Sequence, residues 1–307
     1  MANKLLLATL AIIFVIKILS INFTSFNLFG DEAQYWLWSK NLDFGYFSKP
    51  PLLAWSIGLY TLIFSDSFVS LKLFPSVIYI ITACAIYKLS NNIGTDRIGS
   101  ITCSLIFLSI PSVTFSSFIL STDLFLLLFW TLSLNELVKI QRVPKFKNFI
   151  LLGVFLGLGF LSKYAAIYFT ICLFVYVLID KNFRVFFFKN YIGFFLSLCC
   201  ILLIVFPNIM WNFNNSWVTF SHTSDNANFD NINIDLTRGF IFLFVQILMI
   251  GPFLFLGGII GFKKLSLNKN DKFLLIFSLP ILLIVFIEAI IVRANANWAA
   301  PALISLF

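Results

Sequence analysis

What most limits the fold of this chain is a succession of apolar runs, each long enough to cross a bilayer. A hydrocarbon core roughly 30 Å thick needs about 17 to 25 helical residues. Runs of that order lie at about 4–22, 69–88, 98–119, 122–138, 148–162, 164–180, 191–209, 238–262 and 273–292, and another begins at 299. Lipid offers the backbone no hydrogen-bond partners, so such runs must be helical. The pattern predicts an all-α, polytopic transmembrane helix bundle forming a single domain over 1–307. Composition agrees, since 60% of residues are hydrophobic, against roughly half in a soluble domain.

The formal charge of +8 would suggest a nucleic-acid partner in a soluble chain. Here its placement carries topology instead, because basic residues concentrate in cytoplasmic loops. The run 52–64 decides the register: it is short for a span, and reading it as interfacial puts Lys139, Arg142, Lys145 and Lys147, then Lys181, Arg184 and Lys189, then Lys263 and Lys264, on one side. If it spanned, the bias would invert. The expected topology is a cytoplasmic N-terminus, no nucleic-acid partner, and a first helix that stays uncleaved because Lys17 interrupts the region where a signal's cleavage site would fall. The five cysteines sit inside apolar runs without metal-ligand spacing, and read as small packing residues.

Polarity gathers between the first two spans, in Asp31-Glu32-Ala33-Gln34-Tyr35-Trp36 followed by Gly45-Tyr46-Phe47-Ser48-Lys49-Pro50-Pro51-Leu52. Asp31-x-x-Gln34 has capping-box spacing, predicting a short helix over 33–42 with Tyr35, Trp38 and Leu42 on one face as interfacial anchors. Further polar elements follow at Ser121-Thr122-Asp123, at Leu161-Ser162-Lys163-Tyr164, in the loop from Trp211-Asn212 through His222-Thr223 to Asn226 and Asn228, and at Arg293-Ala294-Asn295-Ala296-Asn297-Trp298-Ala299-Ala300. With the interfacial register all of them fall on the outer side, as a single outward-facing site requires.

These blocks resemble the protein O-mannosyltransferase-like and aminoarabinose-transferase-like family of integral membrane glycosyltransferases, of GT-C fold, in four separated places from Asp31 to Trp298. The resemblance implies a first outer loop with short interfacial helices and an active site facing the outside of a bacterial inner membrane. It also implies a polyprenyl-phosphate-linked sugar as donor and a glycolipid such as lipid A, another envelope glycan, or a protein as acceptor. Members usually run on through more helices, so the segment beginning at 299 reads as the start of a region that a C-terminally truncated chain would lack.

On that resemblance Asp31 is the candidate general base and Glu32 its catalytic neighbour, although capping of the short helix is compatible with both. One carboxylate deprotonating the acceptor would allow direct displacement with inversion. Fixed positive charge must then meet the departing phosphate, for which Lys49, Lys163 and Arg293 are the candidates. Headgroup snorkelling, a plain helix-hairpin turn and headgroup anchoring are their respective alternatives. Asp123, Tyr35, Trp211, Asn212, His222, Asn226, Asn297 and Trp298 are the candidates for acceptor or sugar contact. Capping by Ser121, Thr122 or Asp123 and ordinary turn chemistry compete with those roles. Asp31, Glu32 and Asp123 are also the residues that would hold a divalent cation, were one required, but carboxylates alone do not specify a metal. The rival classes are a lipid-linked substrate transporter or flippase, which would place polar groups at the midplane and in half-repeats, and an inactive family remnant.

Overall fold

Proline marks two of the points where the apolar runs cease to be continuous helices, although Pro75 and Pro207 lie inside the helices Phe68–Ile93 and Tyr191–Asn214. The computed structural model describes residues 2–23, 27–227, 232–262 and 268–306; Asn228, Lys263 and Lys264 lie outside the described residues. In chain order the helices are α1 Ala2–Asn22, α2 Gly30–Trp38, α3 Leu52–Ile63, α4 Phe68–Ile93, α5 Arg97–Ser109, α6 Pro111–Ser116, α7 Asp123–Arg142, α8 Phe146–Ser162, α9 Ile167–Ile179, α10 Lys181–Lys189, α11 Tyr191–Asn214, α12 Val218–Ala227, α13 Leu236–Ile250, α14 Pro252–Phe262, α15 Lys269–Ile276, α16 Leu279–Ile291 and α17 Ala300–Leu303. Single 3-10 turns occupy Tyr164–Ala166 and Ala296–Ala299, and no strand occurs among the described residues.

Two expected spans are corrected. The run 98–119 breaks at Ile110, whose ψ of 142° is the extended conformation forced on a residue before proline. The run 238–262 breaks at Gly251, where φ of +94° suits glycine and Pro252 cannot continue the hydrogen-bond ladder; α13 and α14 meet at 95°. A third break, between α9 and α10, bends the chain by 111°. There Asp180 caps α10 by accepting from the Phe183 N–H at 2.7 Å. The segment expected to open a new span at 299 forms, among the described residues, a 3-10 turn and the short α17.

Three described helical stretches, Phe68–Ile93, Tyr191–Asn214 and Lys269–Ile291, are long and apolar enough to cross a membrane, and the two bent pairs would each add one. The protein is a multi-pass membrane protein. In its core α4 packs on α7, α7 on α8 and α8 on α11, while α5 and α1 lean on α4. Two glycines on one face of α8 allow the closest approach. A Cβ on Gly153 would stand 2.4 Å from the Ser197 carbonyl, and one on Gly157 would meet Ile204 at 2.9 Å, so small residues bring α8 and α11 into backbone contact. The Ser197 hydroxyl donates across that contact to the Phe149 carbonyl at 2.7 Å. On its other side α11 exposes Phe195, Leu202 and Phe206, the lipid-facing surface its apolarity requires.

Between α1 and α4 the chain lays down α2 and α3. At 12 residues α3 is too short to span; it buries Leu53, Ala54 and Ile57 against its neighbours and exposes Leu59, Leu62 and Ile63. The short helix expected at 33–42 is Gly30–Trp38 instead, starting three residues earlier. Its first turn is closed by Glu32, which accepts from the Phe29 N–H at 2.8 Å, in place of Asp31. Its Tyr35 face turns into the protein, with Tyr35 buried, and Leu42 lies beyond its end.

Candidate functional site

The two adjacent acids of α2 take opposite environments, because successive residues on a helix point about 100° apart. Glu32 points inward and is fully buried. It receives Lys72 of α4 at 2.5 Å, the Phe29 N–H at 2.8 Å and the Leu120 N–H at 2.9 Å. Three donors from separate elements satisfy its carboxylate and tie α2 to α4 and to the segment that leads into α7. Asp31 points outward. It is exposed, and no hydrogen bond or ion pair engages it among the described residues.

Asp123 opens α7, but its side chain does not cap that helix. One oxygen accepts from Lys163 at 2.7 Å and the other from the Asn297 amide at 2.8 Å. Beside it the Ser162 hydroxyl donates to the Thr122 carbonyl at 2.5 Å. Three blocks that lie far apart in the sequence therefore meet at one carboxylate. The start of α7, the end of α8 and the turn after α16 are all polar because they share this junction.

Lys49 stands in the loop between α2 and α3, half-buried, and forms no ion pair among the described residues. Burial pushes its amino group below the usual lysine range, and the positive charge of Lys163 pushes it the same way, while Asp31 and Asp123 pull back. The Tyr35 phenol is raised, first by burial and then by the charges of Asp31 and Asp123, so it stays a proton donor. Both shifts have the same two acids among their causes: Lys49 and Tyr35 each lie within the field of Asp31 and Asp123. Arg293, just past the end of α16, is exposed, and Trp298 is half-buried against the core.

The loop after α11 folds back over this assembly. Asn212, fully buried, donates to the Tyr164 hydroxyl at 3.2 Å. Asn208 one turn earlier accepts from that hydroxyl at 2.9 Å and donates to the Phe44 carbonyl at 2.7 Å. Ser216 and Trp217 adopt left-handed backbone, with φ of 56° and 58°, a strained turn that reverses the chain into α12. There Thr219 donates to the Tyr46 carbonyl at 2.7 Å, and the His222 ring lies 4.8 Å from that of Phe47. His222 also contacts the exposed Asn226 at 2.9 Å. Trp211 packs face-on against Gly45, where a Cβ would come within 2.3 Å of the indole.

Every described candidate thus falls on one end of the bundle, although not all of them reach its surface. Tyr35 and Asn212 are buried, and their contacts hold the loop in shape. Asp31, Glu32 and Asp123 do not gather into a metal site. Glu32 is saturated by three donors, Asp123 is held by Lys163 and Asn297, and no group of three potential ligands converges among the described residues. Lys72, Asn208, Tyr164 and Thr219 escaped the sequence reading as site residues. Lys72 carried a usable signal, since a lysine inside an apolar span needs a partner, and the acid pair was the nearest acidic cluster.

The fold and the site define a multi-pass helical membrane protein whose polar residues converge on the loop between its first two long helices. A model of the dolichyl-phosphate-mannose-protein mannosyltransferase family matches residues 48–211, and the chain belongs to that family. Lipid A galacturonosyltransferase RgtD of Rhizobium johnstonii is 29% identical over 293 residues, 94% of this chain and 61% of that protein. The undecaprenyl phosphate-alpha-4-amino-4-deoxy-L-arabinose arabinosyl transferase of Wigglesworthia glossinidia brevipalpis is 29% identical over 140 residues, 43% of this chain and 24% of that protein. The chain therefore spans about three fifths and about a quarter of these two relatives. Among solved structures, the S. cerevisiae protein O-mannosyltransferase Pmt1-Pmt2 complex bound to the sugar donor superposes with a TM-score of 0.56 at 16% identity, over 71% of this chain and 34% of that one. The fold is thus that of the GT-C membrane glycosyltransferases.

Proposed function

We propose that this chain carries the site of an inverting glycosyltransferase, which moves a sugar from a polyprenyl-phosphate carrier to an envelope glycolipid of the lipid A kind. Other envelope glycans and protein hydroxyls are the alternative acceptors. The observation that carries this reading is the contrast within the acid pair: Glu32 is consumed by structure, while Asp31 stands exposed, without a partner among the described residues, and acts on Lys49 through its charge. The similarity to a lipid A galacturonosyltransferase over 94% of the chain favours a glycolipid acceptor.

In the reaction we envisage, the acceptor oxygen attacks the anomeric carbon as the bond from that carbon to the phosphate oxygen breaks. The acceptor proton passes to the Asp31 carboxylate. The electron pair leaves on the polyprenyl phosphate, whose developing charge is met by Lys49, with Lys163 and Arg293 further along the same end of the bundle. Glu32 and Asp123 position these groups. The working face is the outer face of the bacterial inner membrane and the N-terminus is cytoplasmic, as the basic loops support.

Mass spectrometry of lipid A and envelope proteins from cells expressing the chain or its Asp31→Asn variant tests the proposal. The expected result is a sugar-sized increment on lipid A that requires Asp31. An increment that persists in the variant would remove the base assignment, and the absence of any increment in both would remove the transferase reading.

A further inference from the structure

A cleft of about 450 Å³ opens beyond the C-terminal end of α2. Its walls include Trp38 and Asn41, then Gly45, Tyr46 and Phe47 from the loop, and Trp211 from α11. The cleft is preformed. Trp38 and Tyr46 stack at 4.7 Å with 9° between their planes, and the Tyr46 hydroxyl donates to the carbonyls of Trp38 and Asn41 at 3.2 Å each. The same hydroxyl accepts from the Asp43 N–H at 3.0 Å. Gly45 lets the Trp211 indole close the far wall.

Its chemistry is double. Its walls offer aromatic surfaces together with the Asn41 amide, which no group engages among the described residues, and with Asp43, one oxygen of which accepts from the Phe44 N–H at 2.7 Å. Exposed apolar side chains also line it, Leu37 at 62% and Phe47 at 54%, together with Lys40, which is paired to Asp66. Aromatic faces suit the C–H faces of a pyranose, an amide and a carboxylate suit its hydroxyls, and exposed apolar side chains suit a hydrocarbon tail. A patch that merely inserted in lipid would not need a concave wall carrying polar groups.

Its position links it to the acid pair. Trp38 is seven residues from Asp31, hence on the same face of α2 and about 10 Å along the axis. The loop that walls the cleft with Gly45, Tyr46 and Phe47 goes on to carry Lys49. We infer that this cleft holds the sugar headgroup of a membrane glycolipid acceptor, its tail lying over Leu37 and Phe47, so that a neighbouring hydroxyl is presented to Asp31. The inference rests on the transferase reading for its purpose, but it can be tested apart from it, since binding needs no transfer.

The experiment uses the full chain in nanodiscs and an alkyl glucoside carrying a photoreactive diazirine on its sugar, with adducts mapped by mass spectrometry. Adducts should concentrate on residues 37–47 and Trp211, and should be competed by octyl glucoside but not by octyl phosphocholine. Labelling should fall about fivefold in Asn41→Leu, the equivalent of one hydrogen bond. Equal competition by octyl phosphocholine, or adducts spread along the exposed faces of α11, would overturn the assignment. Mapped labelling together with no sugar increment in cells, from either the chain or its Asp31→Asn variant, would keep the glycoside cleft and discard the transferase. The reverse pattern would discard the cleft alone.

Discussion

Glu32 and Lys72 form an ion pair of 2.5 Å with almost no exposed surface on either side chain, so the second acid of the motif serves as an anchor of the loop, while the first has no partner among the described residues. Removing one partner of a buried pair strands the other charge, at about 3–5 kcal/mol. Glu32→Ala should therefore lower the unfolding midpoint sharply, whereas Asp31→Asn should leave it within about 0.5 kcal/mol of wild type and abolish transfer. Thermal unfolding of the purified variants in detergent checks the contrast. Equal stability of the two would contradict the division of labour.

The Asp123 junction should behave as a coupled unit. Lys163 and Asp123 are both largely shielded from solvent, so a double-mutant cycle of Asp123→Asn with Lys163→Met should give a coupling energy of about 1–3 kcal/mol. Asn297→Ala alone should cost about 1 kcal/mol. Additive single effects in the cycle would mean that the pair contributes nothing to holding α7 and α8.

If Lys49 meets the donor phosphate as proposed, donor binding should depend on pH. Burial and the charge of Lys163 hold its amino group below the usual lysine range, so raising the pH removes its positive charge earlier than for a free lysine. A lower pH keeps that charge. Affinity for the phosphate-bearing donor should then be full on the acidic side of this titration and decline as pH rises through it, seen as a rising donor KM. Lys49→Arg should flatten that alkaline limb, because a guanidinium stays charged. A limb unchanged in the arginine variant would assign it to another group.

Gly45 faces the Trp211 indole so closely that no other residue fits without movement. Gly45→Ala should destabilise by about 1–3 kcal/mol through overpacking, and a second substitution, Trp211→Leu, should recover part of that loss. Unfolding midpoints of the single and double variants decide it. An alanine variant as stable as wild type would mean that the indole is free to move.

Some of this was legible in the residues alone. Apolar runs predicted helices because a chain in lipid has no other way to satisfy its backbone. The shortness of 52–64 separated α3 from the spans. The breaks at Ile110 and Gly251 carried a local signal too, a proline directly after each, but run length by itself smoothed over them. The candidates Asp31, Lys49, Asp123, Lys163 and Asn297 were all polar residues on one expected side, and topology brought them to one end of the bundle.

Which of two adjacent carboxylates is free could not be read from their order. It depends on a lysine 40 residues away and on the Leu120 N–H, 88 residues away. Nor could the sequence distinguish the buried Asn212 from a sugar ligand, because an asparagine beside a tryptophan has the same local pattern in either role. What the sequence determined is the class of fold and the loops in which its polar residues gather, since hydropathy and charge act along the chain and against the membrane. What only the tertiary structure decided is the role of each polar residue, because a side chain's role is set by the partners that distant segments bring within about 3 Å of it.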